Sequence, residues 1–220
     1  MSKSSVFADM ANQGVDTTEF GVLDGVTATT AELNVLDGGI PETVSLLATS
    51  NLTGSTASVS FDGHFSSTYR NYQVIASNIT LVAGSGTPAL NVRFRRDDAT
   101  ITTSHYAYVG TRHYISDSGL TAVHFYDQDS IVITTENIRG TGEENASFML
   151  YLYDPLGTNN YKVVTLHAIG HASGDDTRWH MAVLSGTLTD TNGANALSGI
   201  SFHATGTNML RGNFKLYGIR

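Results

Sequence analysis

Eight histidines in a chain without cysteine raise the question of a metal centre first, because imidazole is a common ligand for divalent ions and thiolate is excluded. His167 and His171 are four residues apart; on a strand they share a face but stand about 13 Å from each other, too far to hold one ion. His171 and His180 flank the turn Ser173–Thr177 and are placed to face each other across a hairpin with Asp175 and Asp176 at its tip, a set suited in ligand type to a divalent cation. Aspartates also gather in turns simply because their side chains satisfy turn backbone groups. No metal and no other cofactor is assigned.

Covalent catalysis has no recognisable foothold, since cysteine is absent and no Gly-x-Ser-x-Gly turn occurs. The carboxylate pairs Asp97 with Asp98 and Glu143 with Glu144 are the residue types of glycoside cleavage, but neighbours on a strand face opposite ways and in loops such pairs are solvated. The expectation is a protein that is not an enzyme. The segment His105–Tyr114 is a richer surface candidate. Tyr106 and Tyr108 fall on one face, with Tyr114 further along, and tyrosine rings with polar handles suit a glycan receptor or a partner chain. The same spacing serves rings that line a core or a subunit interface, because half-buried strands are rich in tyrosine. Arg93, Arg95 and Arg96 have the charge to grip an anionic glycan, or they form a solvated strand face balanced locally by Asp97 and Asp98.

The elements that carry these residues read as strands. From Thr49 onward apolar residues recur every second position, as in Ala57–Phe61, Tyr72–Ala76 and Ala89–Arg95; in the last, Leu90, Val92 and Phe94 point inward while Asn91, Arg93 and Arg95 point to water. Further strands are predicted at His105–Ile115, Thr121–Tyr126, Ser130–Asn137, Ala146–Tyr153, Val163–Ala172, Arg178–Leu188, Gly199–Ala204 and Asn213–Ile219, with turn signals such as Asp154-Pro155-Leu156-Gly157 between them. Many short strands without long helices predict a mainly β protein, an antiparallel sandwich of jelly-roll kind over residues 49–220. The final strand is expected inside a sheet.

Composition agrees with a β protein and narrows the partners. Charged residues make up only 15% of the chain and glycine is abundant, a balance suited to strands joined by tight turns. A formal charge of −8 argues against a nucleic-acid partner. No apolar run of about 18 residues is present to insert into a membrane, and Met1–Gln13 lacks the apolar core of a signal peptide.

One pattern is written twice. Asp16-Thr17-Thr18-Glu19-Phe20-Gly21-Val22-Leu23-Asp24-Gly25 repeats as Thr29-Thr30-Ala31-Glu32-Leu33-Asn34-Val35-Leu36-Asp37-Gly38 at a constant offset of thirteen. Asp16 with Glu19, and Thr29 with Glu32, have capping-box spacing, while Gly25 and Gly38 stand where a left-handed residue ends a helix. Helices this short are marginal alone, so Phe20, Val22, Leu23, Leu33, Val35 and Leu36 are expected to meet another chain in a stalk over residues 16–38. Residues 1–15 read as an amino-terminal arm, either disordered or inserted into a neighbouring protein. Residues 39–48 read as a linker: Gly38-Gly39 and Pro41 break the helix, and residues 42–48 have the make-up of one more helical turn.

The segment Gly25–Gly38, ending in Ala31-Glu32-Leu33-Asn34-Val35-Leu36-Asp37-Gly38, resembles the stalk repeat of bacteriophage tail fibres and related virion proteins, especially those of marine phages. The terminal segments Gly199–His203 and Gly212–Ile219 also resemble the last hairpin of small β-sandwich heads in such proteins. These resemblances imply a virion structural protein assembled as a homotrimer, docked to other virion proteins through its amino-terminal region. Its head would contact host surface glycan as a tail fibre or fibre-like appendage, or serve a purely architectural role as a capsid decoration or connector.

Overall fold

The computed structural model describes residues 43–82, 88–114, 119–134, 145–171, 179–190 and 193–220. All of them belong to one compact unit, Thr43–Arg220. Among the described residues the regular elements are thirteen strands: β1 (Val44–Leu52), β2 (Ser58–Asp62), β3 (Asn71–Leu81), β4 (Leu90–Arg96), β5 (Ala99–Thr100), β6 (Tyr106–Tyr114), β7 (Thr121–Gln128), β8 (Ile131–Val132), β9 (Ala146–Tyr153), β10 (Val163–His171), β11 (Trp179–Leu188), β12 (Gly199–Ala204) and β13 (Met209–Ile219).

They form two antiparallel sheets. The large one runs β1-β13-β3-β9-β10-β11-β6-β7; the small one runs β2-β12-β4-β5, with β8 also paired to β4. Strict alternation produces the sandwich: β11 reads exposed, buried, exposed, buried along its first eight residues, and β9 alternates almost as regularly. The inward residues of the two sheets meet in one core. At its centre Phe202 of the small sheet lies 5.3 Å from Phe148 and 5.5 Å from Phe214 of the large one, ring centre to ring centre.

Of the predicted strands, Ser130–Asn137 is strand only at Ile131–Val132 among its described residues; the others are present, and the last of them, β13, lies inside the large sheet between β1 and β3, as expected. Two further expectations fail. Residues 44–48, assigned to the linker and read as a helical turn, belong to β1, which pairs along its length with β13 from Val44↔Ile219 to Leu52↔Gly212. Local helix propensity at Leu46-Leu47-Ala48 is worth tenths of a kcal/mol per residue, whereas pairing with the open edge of β13, whose other edge is bonded to β3, gives this segment a ladder of backbone hydrogen bonds. The sandwich therefore begins before residue 49. Likewise β12 and β13 are not a hairpin: β12 pairs with β2 and β4 in the small sheet, and the chain then crosses to the large one. Each strand buries its own apolar face against the other sheet, and direct pairing would have put both on the same side of the core.

Candidate interaction face

The two outer faces of the sandwich differ in chemistry. On the small sheet Arg93 and Arg95 point outward from β4 and each pairs with a carboxylate distant in sequence, Arg93 with Asp129 at 2.6 Å and Arg95 with Asp62 at 2.7 Å; Arg96, at the strand's end on the side of Leu90, Val92 and Phe94, pairs with the buried Asp190 at 3.1 Å. Asn91, expected to point to water, is buried beside them because its Nδ2 donates to Ala89 O and Thr205 Oγ1; Ser201 is buried as well, while its ladder partner Ser60 is exposed. The expected local pairing through the Asp97 and Asp98 side chains is not what the structure has. Both residues take positive φ, 50° and 59°, as the two central residues of a tight turn joining β4 to β5. Asp98 contributes its backbone carbonyl to Arg95 Nη2 rather than its carboxylate.

The large sheet presents the opposite. Its neighbours β3, β9, β10 and β11 contain no Asp, Glu, Lys or Arg. In β10 both faces are apolar in places, because Val164, Leu166 and Ala168 turn to the core while Val163 and Ile169 turn outward. Register aligns the outward residues in rows. One row runs Ile75, Met149, His167, Val183 across β3, β9, β10 and β11; another sets Ile169 beside Met181. Ile169 is 49% exposed, Met181 53% and Val183 43%. Between them lies a shallow groove of about 350 Å³ whose lining includes Ile75, Met149, His167, Ile169, Met181 and Val183. A second groove of about 430 Å³ adjoins β6 and β7, lined in part by Val109, Phe125, Tyr126 and Val163. Trp179 stacks on His171 at 4.6 Å and Tyr151 on Tyr153 at 6.5 Å on the same face.

The residues singled out from sequence lie elsewhere. Tyr106 is fully buried; its hydroxyl accepts from Phe94 N at 2.9 Å and donates to Ile101 O at 3.0 Å, and its ring packs 5.7 Å from that of Phe94. Tyr108 is 4% exposed and packs on Phe125 at 5.2 Å. Burial pushes both phenols above their ordinary range. A ring enclosed by the core has no surface for an external glycan, so these two tyrosines take the core-lining role. Tyr114, at the end of β6, is half-buried and lies 6.1 Å from the ring of His180.

His171 and His180 do not face each other: the register sets His171 opposite Trp179 and His180 opposite Gly170, so the two imidazoles point to opposite sides of the sheet. Odd and even positions across a hairpin alternate faces, which removes the paired-imidazole part of the cation set. Asp175, Asp176, Glu143, Glu144 and the stalk residues Phe20, Val22, Leu23, Leu33, Val35 and Leu36 lie outside the described residues. Among the described residues no group of three or more His, Asp or Glu is gathered to hold a metal. The apolar outer face was missed because period-two reading finds the buried half of each strand. The sequence signal that bears on it is the absence of any charged residue from β3, β9, β10 and β11.

No family model matches the chain, and no curated protein is similar to it in sequence. Among solved structures, an engineered GH43 glycoside hydrolase is 14% identical with a TM-score of 0.28, the match covering 68% of this chain and 29% of that one. The carbohydrate recognition domain of Emp46p is 10% identical with a TM-score of 0.27, covering 87% of this chain and 92% of that one. The CBM2 module of the evolved Dit of Lactobacillus casei BL23 phage J-1 is 9% identical with a TM-score of 0.23, covering 82% and 92%. This chain thus spans less than a third of the hydrolase's length. At these TM-scores none of the three bears on its function.

Proposed function

We propose that this protein is a non-enzymatic bacteriophage virion structural protein, a fibre-like appendage in which a short self-associating stalk carries a jelly-roll-like β-sandwich head. The observation that carries this reading is the tandem thirteen-residue pattern of Asp16–Gly38, with its resemblance to virion stalk repeats. A compact all-β unit following that pattern fits the arrangement. In this reading the copies form a homotrimer, the amino-terminal region docks to other virion proteins, and the heads face outward, where several copies gain avidity for a host-surface glycan.

The second reading, a capsid decoration or connector with a purely architectural role, gains from the burial of Tyr106 and Tyr108, which removes two of the three side chains named for glycan contact. Locating the protein in particle density separates the two. Density at the tail supports the appendage, and density confined to the capsid shell excludes it. Absence from purified particles would overturn both.

A further inference from the structure

The outer face of β3, β9, β10 and β11 calls for an occupant. These four strands span roughly 20 Å across and 30 Å along, about 600 Å². Monomeric proteins seldom expose contiguous apolar patches beyond a few hundred Å², and a specific interface needs about 600–1,000 Å² per partner. The whole face, with its apolar rows and the uncharged Ser, Thr and His residues between them, therefore has the area of one side of a standard interface.

Charge selects the occupant. The chain carries a formal −8, so its copies repel one another wherever carboxylates would be brought together. The carboxylates Asp62 and Asp129 are engaged in pairs with Arg95 and Arg93 on the small sheet's outer face, and burying that face against another copy would desolvate both pairs. Among the described residues the outer face of β3, β9, β10 and β11 carries no carboxylate, and its border on β13 is Lys215, opposite Ile75 in the ladder, so like copies meet on this face without bringing carboxylates together. A strongly basic partner, by contrast, finds no carboxylate on those four strands to pair with.

We infer that copies of this chain pack against one another through this apolar face, with Ile169, Met181 and Val183 at its centre and the small sheet turned to solvent. The inference deepens the assembly part of the proposed function by naming the surface through which heads associate, and it rests on that reading.

The chain has no cysteine, so single thiols can be placed at will. In full-length protein at micromolar concentration, Ile169→Cys is compared with Ser60→Cys on the small sheet for its rate of maleimide labelling, with mass measured by light scattering. Expected are a mass that is a multiple of 23.5 kDa, labelling of Ile169→Cys at least about tenfold slower than of Ser60→Cys, and recovery of that rate when Val183→Glu is added. Val183 is exposed in the single chain, so the added variant retains the fold, checked by circular dichroism. A multimer in which Ile169→Cys labels as fast as Ser60→Cys, or in which Val183→Glu changes nothing, shows that copies meet elsewhere; the inference falls and the virion reading stands. A 23.5 kDa monomer overturns both the inference and the assembly claim, while location in the particle still tests the virion role independently.

Discussion

His180 is seated over the bare α-carbon of Gly170, its partner across the β10–β11 ladder: a Cβ placed on Gly170 would stand 2.5 Å from His180 Cε1. The absence of a side chain at one position is thus what allows a full imidazole at the other, in a site where His180 is 2% exposed.

Gly170→Ala is accordingly expected to destabilise the sandwich by roughly 1–3 kcal/mol, because the imidazole or the strand must move in a packed core. Chemical denaturation of the variant beside the parent protein checks this. An unchanged midpoint would mean the ring relocates freely.

Acid should weaken the fold through the same residue. Burial, with Arg112 adding to it, lowers the His180 pKa from 6.5 to about 4, and neither ring nitrogen has a hydrogen-bond partner among the described residues. Because the unfolded chain binds this proton more tightly than the folded one, stability is full above about pH 6.5 and falls as the pH is lowered to about 4, by up to about 3 kcal/mol. His203, lowered to about 4 by burial and by Arg93, acts in the same direction. Thermal unfolding from pH 7.5 to 4 should show Tm flat at first and then declining. His180→Phe, which cannot take up the proton, should shallow the decline.

Tyr106→Phe separates a core role from a surface one. Losing the hydroxyl that joins Phe94 N to Ile101 O should cost about 2 kcal/mol, since a buried amide loses its acceptor. Tyr108→Ala should cost roughly 3–5 kcal/mol. Were these residues receptor contacts on the surface, both variants would keep the parent Tm.

Asp98→Gly should stabilise the protein by roughly 0.5–1 kcal/mol. The residue is held at φ 59° in the β4–β5 turn, a conformation glycine adopts without Cβ strain, and its partner position is already an aspartate. The Arg95 Nη2 hydrogen bond goes to the backbone carbonyl and survives the change. A rise in Tm of a few degrees is the expected reading; a fall would assign the carboxylate a role of its own.

By itself the sequence determined most of the strands and which half of each is buried, because period two is a property of a single strand and Leu90, Val92 and Phe94 carry it without reference to any other segment. It also carried the repeat and the turn residues. Which strand pairs with which was decided by the tertiary structure alone: β1 became a strand because β13 offered it an open edge, and β12 left β13 because two sheets share one core. The same is true of the arginine partners Asp62, Asp129 and Asp190, of Lys162, whose ammonium bonds the carbonyls of Gly157, Asn160 and Ala194, and of the burial of Tyr106. These depend on residues far apart in the chain, and no local pattern encodes a contact that only sheet pairing creates. The apolar outer face stands between the two: its four uncharged strands are written in the sequence, but only the order β3-β9-β10-β11 sets them side by side as one surface.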